Sequence, residues 1–137
     1  DLTAAMLTNC GAPVKFFGNH TAFLRGQERW IAAAGRANDA QQARWTSGDM
    51  TARRRAIAND FGFYQIMIGR GYDRPSIDRC LADNSMAQKL ARQTSEAATL
   101  GVNGTPSFLL NGELLAGMHD WQTLQVLLKA RTAPPAQ

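Results

Sequence analysis

The sequence predicts an α/β chain that is mostly helical and ends in one β-hairpin of a sheet it does not complete. Three observations carry this. Up to about residue 100, apolar residues recur at three- and four-residue steps, in segments opened by Asp or Pro and closed by Gly. From Thr105 the pattern changes to an apolar run, Phe108-Leu109-Leu110, then Asn111-Gly112, then Leu114-Leu115. Asn-Gly between apolar runs is the strongest short-range hairpin signal, because both turn residues tolerate positive φ. The first run does not alternate polar with apolar, so both faces of that strand are expected to be covered. A two-stranded hairpin is marginal alone in water, yet no third strand is read upstream. Its companions are expected from a segment before Asp1 or from another copy of the chain.

The elements follow in order. Asp1 caps a helix bearing Leu2, Ala5 and Met6, which stops at Gly11. A chain opening directly on a cap is expected to be a piece of a longer protein or a processed product. Pro13 opens a helix with Phe16, Phe17, His20, Phe23, Leu24, Gln27 and Trp30 on a broad aromatic stripe. That stripe reads as a core face, and His20 on it as a satisfied, buried imidazole. From Ala32 to Gly48 the chain is Ala-, Gln- and Arg-rich, which fits either a polar helix or a mobile connection. Asp49 or Thr51 caps a helix to about Asp60 with Ile57 and Phe61 apolar, and Phe63, Tyr64, Met67 and Ile68 continue to Gly69 and Gly71. Asp73 and Pro75 start the next helix, with Ile77, Cys80 and Leu81 buried; Asp83 starts another, lined by Met86, Leu90, Ala97 and Ala98 and ended by Gly101. Asp120 caps a last helix with Trp121, Leu124, Leu127 and Leu128 inward, before a frayed tail carrying Pro134-Pro135.

Composition narrows the function. The 137 residues suit one ordinary globular domain, and no apolar run is long enough to span a membrane. The net charge of +4 is spread along the chain, as on a solvated Arg-rich face. Arg53-Arg54-Arg55 falls in a predicted helix, where three consecutive residues do not share a face, and no aromatic residue interleaves with it for base stacking. Nucleic-acid binding is therefore not expected. With two Cys and two His scattered along the chain, neither a metal site nor a Cys-x-x-Cys motif is present, and no cofactor is expected. The triplets Asn19-His20-Thr21 and Asn103-Gly104-Thr105 match a glycosylation acceptor as easily by chance as by purpose.

The segment from Gly101-Val102-Asn103-Gly104-Thr105-Pro106 through Asn111-Gly112 resembles the cis-proline segment of DsbA-like thioredoxin-fold thiol–disulfide oxidoreductases. Trp121 and the leucine helix resemble that family's last element. Cys10-Gly11, Phe16-Phe17 and Cys80-Leu81-Ala82-Asp83 fall in order in what resembles its inserted helical domain. The resemblance implies a thioredoxin-like α/β fold with a helical insertion at 1–82, the C-terminal half of the thioredoxin fold at 83–131, and a flexible tail at 132–137. It also implies that the family's catalytic Cys-x-x-Cys lies on a β-α-β unit preceding everything present here. This chain by itself is thus expected to be inactive as a dithiol oxidoreductase.

By the same resemblance, Gly104, Thr105 and Pro106 form the substrate-binding loop. Thr105 would offer backbone hydrogen bonds to an extended substrate and Pro106 would pack against the reacting sulfurs. A cis Thr105–Pro106 bond is the favoured reading, and a trans bond that merely starts a strand is the alternative. Cys10 and Cys80, on buried helical faces of an exported domain, are read as a structural disulfide worth about 4 kcal/mol in the chain-entropy model. The other reading is two reduced, buried thiols. The parent is expected to act on cysteine-containing polypeptides in the periplasm or another exported compartment, without stable membrane insertion. A homodimer or strand exchange is one source of the missing strands. The rival function is a non-catalytic thioredoxin-like peptide-binding or assembly module.

Overall fold

The computed structural model describes residues 1–132; of the expected tail at 132–137, residues 133–137 lie outside the described residues. The chain divides into two compact units, Asp1–Ala91 and Arg92–Gln137, and the division falls inside a helix.

The first unit is helical. Asp1 accepts from the Ala4 amide at 3.0 Å and starts α1 (Leu2–Thr8). A single 3-10 turn (Pro13–Lys15) leads into α2 (Phe16–Arg25), followed by α3 (Gln27–Gly35) and α4 (Asp39–Thr46). Next come α5 (Met50–Asp60), α6 (Phe63–Gly69) and α7 (Arg74–Ala82), and α8 (Asn84–Thr99) begins within the unit. Leu7, Phe63, Tyr64, Met67, Ile77 and Leu81 are among the large buried side chains of the core. Phe63 sits at its centre, with the rings of Phe23, Trp30 and Phe61 meeting it edge-on at 5.2, 5.7 and 5.5 Å. Edge-to-face packing sets ring edges against negative ring faces and adds to what burial alone contributes.

Several expectations change. The helix expected to run unbroken through Trp30 is divided at Gly26, which ends α2 and caps α3. Between Ala32 and Gly48 the structure is helical, and Asn38 with Gln41 forms a reciprocal capping box on α4. His20 is exposed rather than buried, stacking on Phe16, and Phe17 is 78% exposed. The inward face of α2 instead carries Asn19, which is wholly buried. Its amide nitrogen donates to the carbonyls of Thr8 and Cys10 and to Tyr72 Oη at 3.4, 3.2 and 3.0 Å. A buried amide is tolerated only where such partners exist, so those partners, together with buried Phe23, orient the helix.

The arginine run is not a uniformly solvated face. Arg54 is buried and its Nη1 donates to the Leu81 carbonyl and to Asn84 Oδ1 at 3.1 and 2.9 Å, tying α5 to the α7–α8 corner. Arg53 reaches the Trp45 carbonyl at 2.8 Å, and Arg55 lies 3.4 Å from Asp78. The three diverge because successive residues of a helix point about 100° apart. Asp78 also accepts a hydrogen bond from the Tyr64 hydroxyl, while Arg74 lies 4.1 Å over the Tyr64 ring. Burial first, and then the Asp78 carboxylate, push the Tyr64 hydroxyl up to about 12.

In the second unit, α8 runs to Thr99 and the chain then forms β1 (Leu109–Leu110) and β2 (Glu113–Leu114). The strands are antiparallel with Leu109 opposite Leu114 and Leu110 opposite Glu113. Asn111 and Gly112 take φ of 54° and 86°, the double left-handed turn their identities favour. Asp120 accepts from the Thr123 amide at 2.8 Å and caps α9 (Trp121–Thr132). Leu124, Leu127 and Leu128 are half-buried, but Trp121, expected inward, is 60% exposed. Leu109 is 43% exposed, so β1 is not covered on both faces; two strands of two residues each are too small a sheet to do so.

Two pH effects follow. The carboxyls of Asp49 and Asp73 are held below the ordinary 3.8, chiefly by hydrogen bonds from the Ala52 amide and from Ser76. A depressed folded value means that the stability from these caps is complete above the ordinary value and lost as pH falls through the lower one. Far-ultraviolet circular dichroism during acid titration should show this loss. The double variant D49N/D73N, in which Asn still caps but does not titrate, should lose less on acidification. Tyr64 behaves in the opposite sense. Its folded value lies above the ordinary 10, so its contribution is complete below pH 10 and declines as pH rises toward 12. Urea midpoints across that range should fall for the native chain and fall less for Tyr64→Phe.

Candidate functional site

The loop at 104–107 is built from both of its ends. At Gly101, φ 81°, the chain leaves α8 with the Gly101 amide on the Ala98 carbonyl and the Val102 amide on the Ala97 carbonyl, at 3.0 and 3.1 Å. These paired bonds close the last helical turn and reverse the chain. The Thr105–Pro106 peptide bond is cis. Ser107 Oγ donates to the Gly104 carbonyl at 2.7 Å, His119 Nδ1 lies 2.9 Å from the Pro106 carbonyl, and the Leu115 amide donates to the Phe108 carbonyl at 2.9 Å. Gly104, Thr105 and Pro106 are all exposed. Among the described residues, no hydrogen bond takes the backbone N–H or C=O of Thr105. The loop therefore presents an open main-chain donor and acceptor between neighbours whose carbonyls are occupied. A cleft of about 150 Å³ adjoins the loop at Ser107 and is walled further by Leu114, Leu115 and His119.

Cys10 and Cys80 lie in the other unit and form a disulfide across 70 residues, with Cα atoms 5.6 Å apart. Cys10 is buried at the end of α1 and Cys80 is half-buried on α7. The Cys10 carbonyl accepts from Tyr72 Oη at 2.7 Å as well as from Asn19. Gly11, at φ 83°, makes this approach feasible: a Cβ there would lie 2.8 Å from Tyr72 Oη. The chain has two cysteines and both are in this bond, so none is left as a thiolate nucleophile.

Among the described residues, no group of three or more His, Cys, Asp or Glu side chains is placed to hold a metal ion. No described helix is long and apolar enough to cross a membrane. Sequence reasoning passed over His119 and Ser107, the two side chains that hold the loop. Neither stands in a recognisable motif, and the His119 contact spans 13 residues through a turn that shapes itself only in the folded hairpin.

A family model described as Thioredoxin matches residues 1–130. The chain belongs to the thioredoxin family. This thioredoxin-family chain is also similar to a solved structure titled protein-disulfide isomerase from Novosphingobium aromaticivorans, at 48% identity and a TM-score of 0.87. The match covers 95% of this chain and 67% of that one. No curated protein matches the chain. The fold is thus thioredoxin-like, dominated by helices, with a two-stranded antiparallel sheet among the described residues.

The disulfide should be structural in the measurable sense. Removing it in C10S/C80S should lower the unfolding free energy by about 2–4 kcal/mol, up to the chain-entropy value for a loop of this length. Urea titrations with and without reductant measure this, and unchanged midpoints would deny the bond a stabilising part.

Proposed function

We propose that this chain supplies the helical domain and the substrate-facing loop of a thiol–disulfide oxidoreductase that acts on cysteines of exported proteins. The observation that carries this is the backbone N–H and C=O of exposed Thr105, which take no hydrogen bond among the described residues, beside Pro106, on a loop whose adjoining carbonyls are already satisfied. An extended polypeptide pairs with such groups through its own main chain, regardless of its side chains, which suits an enzyme that must accept many substrates. The similarity to a protein titled protein-disulfide isomerase supports the same reading.

The chemistry of this class divides the labour. A thiolate attacks one sulfur of a disulfide in line, a mixed disulfide forms and the other sulfur leaves as a thiolate; a second thiolate then resolves the mixed disulfide. The loop's part is alignment. Thr105 holds the strand that carries the substrate cysteine, while the apolar ring of Pro106 flanks the sulfurs without offering an N–H to compete. The attacking cysteines belong to a Cys-x-x-Cys outside these residues, because both cysteines here are bonded to each other. That bond also supports an oxidising location such as the periplasm. The open edge of β1 is the place where further strands would pair, from the same polypeptide or from a second copy.

A non-catalytic module would use the same loop for binding alone, and the two readings part at the coding sequence ahead of Asp1. A Cys-x-x-Cys one β-α-β unit upstream supports the oxidoreductase, and its absence there rejects it. On the chain itself, titration with an unfolded cysteine-containing peptide should shift the backbone NMR signals of Gly104, Thr105 and Ser107. Shifts confined to other regions would remove the loop from the substrate site.

A further inference from the structure

We propose that His119 is a positioning residue for the substrate loop, clamping Pro106 so that Thr105 is presented in a fixed orientation; this rests on the oxidoreductase reading above. Proline carries no N–H, so the carbonyl is the only main-chain group through which Pro106 can be hydrogen-bonded. That carbonyl is 2.9 Å from His119 Nδ1. A carbonyl oxygen only accepts, so Nδ1 carries the proton in this contact and the neutral ring is the Nδ1–H tautomer.

The neighbouring bonds show what the clamp achieves. The carbonyls of Gly104, Pro106 and Phe108 are taken by Ser107 Oγ, His119 Nδ1 and the Leu115 amide respectively. Every second carbonyl is thereby fixed from within the same unit, and the backbone of Thr105 between them is left open. Of the three, the Ser107 bond is local to the loop and the Leu115 bond belongs to the hairpin. His119 alone ties the proline itself to the segment following β2. Its own backbone is well anchored: Gly117 takes φ 75°, the Met118 amide donates to the Leu115 carbonyl at 3.3 Å, and Asp120 caps α9. The contact sits on an exposed surface, where a lost hydrogen bond is replaced by water, so its removal should loosen the loop and spare the fold.

Three variants test this on the 137-residue chain. His119→Leu removes the donor. His119→Asn places an amide nitrogen the same number of bonds from Cα as Nδ1 and should restore it. His119→Gln sets its nitrogen one bond further out and should not. The expected results are an Nδ1–H tautomer in the nitrogen-15 imidazole spectrum of the native chain, and broadened or doubled Thr105 and Ser107 amide signals in His119→Leu. Binding of the unfolded cysteine-containing peptide should weaken about tenfold in His119→Leu and His119→Gln, return to within about twofold in His119→Asn, and leave the thermal midpoint unchanged in all three. An Nε2–H tautomer, or loop amides and binding unaltered in His119→Leu, would overturn the proposal. So would weakened binding that His119→Asn does not restore. A native chain that binds no peptide rejects the oxidoreductase reading instead, while the tautomer and the loop amides still decide the clamp.

Discussion

The helical unit is organised around a wholly buried amide. Asn19 has no access to water, and leaving its polar atoms without partners would cost on the order of 1–3 kcal/mol, so everything that reaches it is constrained. The Thr8 and Cys10 carbonyls fix the end of α1 against α2, and Tyr72 brings in the connection between α6 and α7. Tyr72 spends its own proton on the Cys10 carbonyl, which closes a small network of satisfied groups. The Cys10–Cys80 bond fastens the same corner covalently to α7. Polar satisfaction and cross-linking thus act at one place, and the aromatic cluster around Phe63 fills the space they define.

That arrangement explains what the sequence made legible and what it did not. Helix starts were readable because capping is local: Asp1, Asp49, Asp73 and Asp120 each accept from an amide two or three residues on. The Asn111-Gly112 turn was readable for the same reason, since its left-handed φ values depend on the two residues themselves. Burial on α2 was not. The stripe containing Phe16, Phe17, His20 and Phe23 is too broad to point one way, and a nonlocal requirement at Asn19 selects the face that turns inward. Arg54 is hidden by a similar nonlocal demand, the open carbonyl of Leu81 at the end of α7.

The loop at 104–107 shows the same division between local and distant causes. Gly101 and the Gly104-Thr105-Pro106 segment resemble a family pattern and could be singled out from residues alone. The clamp from His119 is a contact between a turn and a loop on either side of a hairpin, so it exists only after the strands have paired. Chemistry held in the backbone is hard to see in a sequence, because Thr105 contributes atoms that every residue has. What makes it distinctive is that, among the described residues, its neighbours' carbonyls are occupied and its own backbone is not.

One property of the Cys10–Cys80 link concerns covalent continuity. It closes a ring that runs from the end of α1, through α2 to α6, into α7. The exposed connection between α3 and α4, around Arg36 and Asn38, lies inside that ring. A protease that cut there would open the ring without separating the pieces, and the two halves would stay joined and packed until a reductant reached the sulfurs. The helical unit, once nicked there, would still remain a single molecule.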